Sequence, residues 1–83
     1  MLLSENWAIK SDRICEFFRS QEDVTESNGI FLYKSCCITL TPLPPPQSEI
    51  FAISRTQIKM DGPENEVREI HHRFFLRFLS AGG

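Results

Sequence analysis

A proline run, Pro42-Leu43-Pro44-Pro45-Pro46, sits between two β-rich stretches and dictates most of what this chain can become. Proline has no N–H to give a sheet, so a dense run of it ends a central strand. The run therefore reads as a connection. Residues 30–41 before it are rich in β-branched and aromatic side chains, and so are residues 50–60 after it, which predicts two antiparallel strands. In strict alternation, Ile30, Leu32, Cys36, Ile38 and Leu40 share one face of the first strand, and Lys34 interrupts it. Phe31, Tyr33, Ser35, Cys37, Thr39 and Thr41 take the other face. The second strand changes phase between the pair Phe51 and Ile53 and the pair Ile58 and Met60. That change predicts a β-bulge between Ser54 and Gln57.

A hairpin with one apolar face needs cover. After the second strand, Val67, Ile70, Phe74 and Phe78 recur at three- and four-residue steps, which predicts a helix over 64–80. Acidic Glu64, Glu66 and Glu69 come early in it and Arg73 and Arg77 late, an order that suits the helix dipole. Asp61 and Glu64 have capping-box spacing, and Pro63 suits a first turn, so Asp61 and Glu64 are the expected helix cap. Near the other end, Ile14, Phe17 and Phe18 have helical spacing. One reading caps a helix with Ser4 and runs it over 5–19. The other makes residues 6–10 a short strand, with Trp7 and Ile9 on one face, and caps a shorter helix with Ser11 or Asp12. Asn28-Gly29 is a turn dipeptide. The expected fold is α+β: a two-layer sandwich in which an antiparallel β-hairpin is covered by two helices, in the order αββα or, alternatively, βαββα. At 83 residues it is expected to be a single small domain, 1–83.

Chemistry is thinly marked. Net charge is −2, so binding that neutralises many phosphates is not favoured, and nucleic acid is not an expected partner. Arg68, His72, Arg73 and Arg77 make a mild basic patch that reads as a solvated face. Met1-Leu2-Leu3 is followed by Glu5 without a long apolar region, and no stretch approaches a membrane span. Cys15, Cys36 and Cys37 are odd in number, and the adjacent pair points to opposite faces of a strand. They read as reduced thiols in a cytoplasmic setting. His71 and His72 point about 100° apart on a helix and do not chelate one ion together. No cofactor is expected. A small Cys/His-dependent enzyme or metal-binding protein, using those thiols with His71 or His72, is the alternative function. The spacing of Pro42 and Pro45 matches a P-x-x-P ligand, but the nearest basic residues, Lys34 and Arg55, are distant, so a stiff connector is expected.

The largest functional signal is an excess of apolar surface on the last helix. Leu76 is offset by about 200° from Phe74, so one thin sheet cannot cover both. Phe75, Leu76 and Leu79, flanked by Arg73 and Arg77, form the expected interaction surface. The leading expectation is a non-enzymatic protein–protein interaction or assembly module that self-associates as a homodimer through the aromatic last helix, with itself or another protein as partner. The terminal Gly82-Gly83 resembles the tail of ubiquitin-like modifiers and sulfur carriers. The resemblance implies a modifier-type carrier, a weaker alternative. It covers two residues, and in those families a strand precedes the glycines where this chain has a helical pattern.

Overall fold

The computed structural model describes residues 1–44 and 54–81. In chain order the elements are β1 (Leu2–Trp7), α1 (Ser11–Arg19), β2 (Val24–Ser27), β3 (Ile30–Tyr33), β4 (Cys36–Leu43), β5 (Arg55–Asp61) and α2 (Glu64–Ala81). The fold is α+β. The described strands form one antiparallel sheet in the order β1-β5-β4-β3-β2. Strands β2 to β5 follow one another as a meander, and β1 arrives from the far end of the chain to pair with β5.

The expected hairpin is present as β4 paired with β5, but it is the centre of a larger sheet. The expected single strand over 30–41 is two strands. Lys34 is not an interruption within a face. It adopts φ 54° and turns the chain, so that Tyr33 pairs with Cys36 across the loop Lys34-Ser35. Residues that face each other across a two-residue loop share a face, whereas strict alternation assigns them to opposite faces. The expected face is corrected accordingly. Phe31 and Tyr33 join Cys36 and Ile38 in the core, and Ile30 and Leu32 are exposed. Asn28-Gly29 makes a similar reversal between β2 and β3, with φ 53° and 79°.

The first expected helix, over 5–19, is also corrected. Residues 2–7 are strand, and the helix begins at Ser11. The alternative with an extra first strand has the right start, but the strand lies at Leu2–Trp7 instead of 6–10. Leu3, Glu5 and Trp7 turn toward the helices and Leu2, Ser4 and Asn6 away, a period of two. Lys10 occupies the N-cap position without a side-chain cap. Ser11, expected as a cap, instead hydrogen-bonds through Oγ to Thr56 Oγ1 at 2.9 Å.

Pro42 lies within β4, opposite Thr56 of β5. The proline run therefore starts inside a strand, contrary to expectation. The reason is that β3 begins opposite Thr39, so beyond that point β4 has a neighbour on one side only among the described residues. A proline there removes no ladder bond on the open side. From Arg55 onward β5 keeps an unbroken register with β1 and β4, so no bulge occurs between Arg55 and Gln57. Phe51, Ile53 and Pro45-Pro46 lie outside the described residues.

Both helices cover the same face of the sheet. Ile14 and Phe18 of α1 and Val67, Ile70, Phe74 and Phe78 of α2 are all at most 2% exposed, together with Ile58 and Met60 of β5. The expected inner stripe of α2 is thus the observed one. Phe18 ties the layers together: its ring stacks on Phe74 at 6.0 Å and meets Phe31 of β3 at 5.4 Å.

Candidate interaction surface

With its inner stripe sealed, α2 presents two flanks of different chemistry. The flank toward β1 is aromatic, with two part-buried polar contacts that meet on Glu5. His71 Nε2 lies 2.8 Å from Glu5 Oε1, and Trp7 Nε1 donates to the same oxygen at 3.0 Å. Burial pushes the Glu5 carboxyl up, but the hydrogen bonds from Trp7 and His71 outweigh it and hold the group below its usual value. Trp7 meets Phe74 and Phe75 edge-on, at 5.0 and 6.0 Å. Beyond this contact Phe75 is 37% exposed, and Leu76 and Leu79 are 55% and 56% exposed.

The flank toward β2 is polar and already engaged. Arg73 makes a bidentate pair with Asp23 at 2.8 and 2.9 Å, and its guanidinium lies 5.1 Å from the Tyr33 ring centroid. Glu69 Oε2 accepts from the Tyr33 hydroxyl at 2.6 Å and from Lys34 Nζ at 3.1 Å. Those bonds hold Glu69 below its usual value, and the hydrogen bond to Glu69 raises Tyr33. Glu66 accepts from the Ser35 backbone N–H at 2.8 Å, fastening the β3–β4 turn to the helix. Arg77 and Arg13 both approach the Phe78 ring, at 5.5 and 5.8 Å, above a shallow cleft shared with Glu16, Phe17 and Ser20.

Within the expected surface, Phe75, Leu76 and Leu79 are exposed. Arg73 is paired with Asp23, and Arg77 lies over the α1 cleft. The expected cap residues lie at the β5–α2 junction. Asp61 is the last residue of β5, and the first helical carbonyl is that of Pro63, which accepts from Glu66 and Val67 at 3.0 Å. Glu64 bonds forward to Arg68 at 3.3 Å instead of reaching back. The junction is organised by Gly62. Its N–H donates to the Met1 carbonyl at 3.1 Å, and its carbonyl accepts from the Met1 nitrogen at 2.8 Å.

The thiols are not brought into a common site with the histidines. Cys36 is buried beneath Gly62, and burial pushes its thiol up to about 11. Such a thiol is a poor nucleophile near neutrality. Cys15 is half-buried and its thiol is also raised by burial, and Cys37 is exposed on the helix-free face. His71 is bonded to Glu5, and His72 points to solvent. Among the described residues no group of three or more His, Cys, Asp or Glu side chains is placed to hold a metal ion. Nor is any helix among them long and apolar enough to cross a membrane.

Sequence reasoning gave no polar role to Glu5, Trp7, Tyr33, Asp23 and Thr56, whose side chains hydrogen-bond in the folded chain. The alternation Leu3, Glu5, Trp7 was the available signal for the first two. No short-range pattern marks the others, because their partners lie far along the chain. The chain matches no family model, no curated protein and no solved structure.

Proposed function

We propose that this chain is a non-enzymatic protein–protein interaction module that assembles, with itself as partner, through the side of α2 bearing Phe75, Leu76 and Leu79. One observation carries the reading. The inner stripe of α2 is already sealed, yet the same helix holds three more large apolar side chains out of the core. An exposed apolar cluster of this kind loses water when a partner covers it, at about 25 cal/mol per Å². The Trp7 ring supports Phe75 from below, which gives the surface a rigid base. Free Cys15, Cys36 and Cys37 suit a reducing compartment, so the module is assigned to the cytoplasm.

Sedimentation velocity over a wide concentration range tests the proposal. Wild type is expected to associate as concentration rises. Phe75→Asp and Leu79→Asp are expected to weaken association at least tenfold with an unchanged far-UV circular dichroism spectrum. A wild-type monomer at every concentration would exclude self-association.

A further inference from the structure

The free edge of β1 offers the geometry of that association. Met1 and Gly62 exchange both backbone hydrogen bonds, at 2.8 and 3.1 Å, so they form a hydrogen-bonded pair of the β1–β5 ladder. In an antiparallel ladder, hydrogen-bonded and non-hydrogen-bonded pairs alternate. Leu3, Glu5 and Trp7 therefore direct their N–H and C=O groups toward Met60, Ile58 and Thr56 of β5. Leu2, Ser4 and Asn6 direct theirs away from the sheet, and among the described residues no strand lies on that side.

Free edges are usually guarded by lysine, proline or a bulge. Residues Leu2–Trp7 contain none of these, and β1 keeps an unbroken register with β5. Its one charge, Glu5, points inward, a device that also guards edges, but its carboxylate is already satisfied within the chain by Trp7 and His71. The opposite edge differs: β2 is four residues long, and its Glu26 pairs with Arg19.

We infer that β1 pairs antiparallel with β1 of a second copy of this chain, with Ser4 on the two-fold axis, so that two sheets become one. This inference rests on the proposed function and names its geometry. The register follows from the backbone. A two-fold axis at Ser4 pairs Leu2 with the partner's Asn6, Ser4 with the partner's Ser4 and Asn6 with the partner's Leu2, which uses every outward group of β1. An axis at Glu5 sets two carboxylates against each other and leaves Leu2 without a β1 partner. An axis at Leu3 leaves Asn6 out. Side chains keep their faces in the Ser4 register, so both α2 helices lie on one side of the joined sheet. His71 and Phe75 already overhang Glu5 and Trp7, so the apolar side of α2 borders the same seam.

Because position 4 meets itself, charge swapping isolates the contact. Ser4 is exposed on the helix-free face, so Ser4→Lys and Ser4→Glu are compatible with the fold. Each alone is expected to stay monomeric at concentrations at least tenfold above those at which wild type dimerises. Mixed one to one, they are expected to form a heterodimer, read by sedimentation velocity and native mass spectrometry. Ser4→Pro is a second probe: it removes an outward N–H and spares the β5 ladder, so it is expected to abolish the dimer and keep the fold. A dimer that survives Ser4→Lys and Ser4→Pro but fails with Phe75→Asp would overturn the edge pairing and leave the α2 surface standing. Heterodimer rescue with no effect of Phe75→Asp would support the edge and remove the α2 surface. A wild-type monomer at all concentrations would overturn both.

Discussion

Replacing Gly62 by alanine sets two opposing effects against each other, and the structure decides the sign. Removing a glycine narrows the unfolded ensemble and stabilises a protein by about 0.4–1 kcal/mol where the folded site accepts the new methyl. At Gly62 the methyl carbon would lie 2.8 Å from Cys36 Cα, 3.1 Å from Cys36 Cβ and 3.1 Å from the Ser35 carbonyl oxygen. Two of these belong to the backbone of the β3–β4 turn, which Glu66 and the β4 ladder hold in place. The strain must be relieved by moving the turn or the β5–α2 junction, and overpacking of this kind costs about 1–3 kcal/mol. The net expectation is a loss of roughly 1–2 kcal/mol. In a domain of this size that lowers the melting temperature by about 4–8 °C for each kcal/mol. Urea denaturation and thermal melts of wild type and Gly62→Ala measure it, at concentrations where both are monomeric. Cys36→Ala in the same background should not relieve the loss, because the atoms in the way are Cα and Cβ and not the sulfur. An unchanged or raised midpoint in Gly62→Ala would refute the close approach, and with it the account of why glycine stands between β5 and α2.

Thr56 is fully buried and its hydroxyl donates to the Ile9 carbonyl at 2.7 Å, so Thr56→Val should cost about 1–3 kcal/mol in a denaturant titration, and Thr56→Ser much less. Glu5, Asp23, Glu26 and Glu69 are all held below their ordinary values in the folded chain. Their contribution is complete above the unfolded carboxylate range and is lost as pH falls through their folded values, so urea midpoints should drop steadily below about pH 4. The Cys36 thiol titrates in the opposite sense: the folded value is about 11, so the unfolded chain ionises first and stability should fall as pH rises from about 9 toward 11. Thiol titration at neutral pH should find Cys37 reactive at once and Cys36 reactive only on unfolding, and Cys36→Ala should flatten the alkaline loss.

The sequence made some of this legible because the governing contacts were short in range. The stripe Val67, Ile70, Phe74, Phe78 follows from helical spacing alone, and it is the observed inner face of α2. The paired strands on either side of the proline run follow from their β-rich composition. Alternation failed at Lys34, because a two-residue reversal built on a non-glycine residue with positive φ has no compositional mark. It also misplaced β1, whose strand character depends on Met60, Ile58 and Thr56 standing opposite it near the other end of the chain. The exposed set Phe75, Leu76, Leu79 was readable from helix geometry. The pairing of Arg73 with Asp23 was not, since the two stand 50 positions apart.

The pairing of β1 with β5 also sets an order of events in time. Strands β2, β3 and β4 are joined by two-residue loops, and each of these pairings closes a short segment of chain. The Met1–Gly62 bonds span 61 positions. Closing so long a segment carries more entropy loss than closing a hairpin, and contacts of this kind slow the search for the native state. The meander with α2 folded over it is thus the expected early structure, and β1 is the strand expected to dock last. While β1 is away, the β5 edge lies open along its full length. A β1 from a neighbouring chain would find the same register there, so strand exchange is the misassembly this topology is expected to invite.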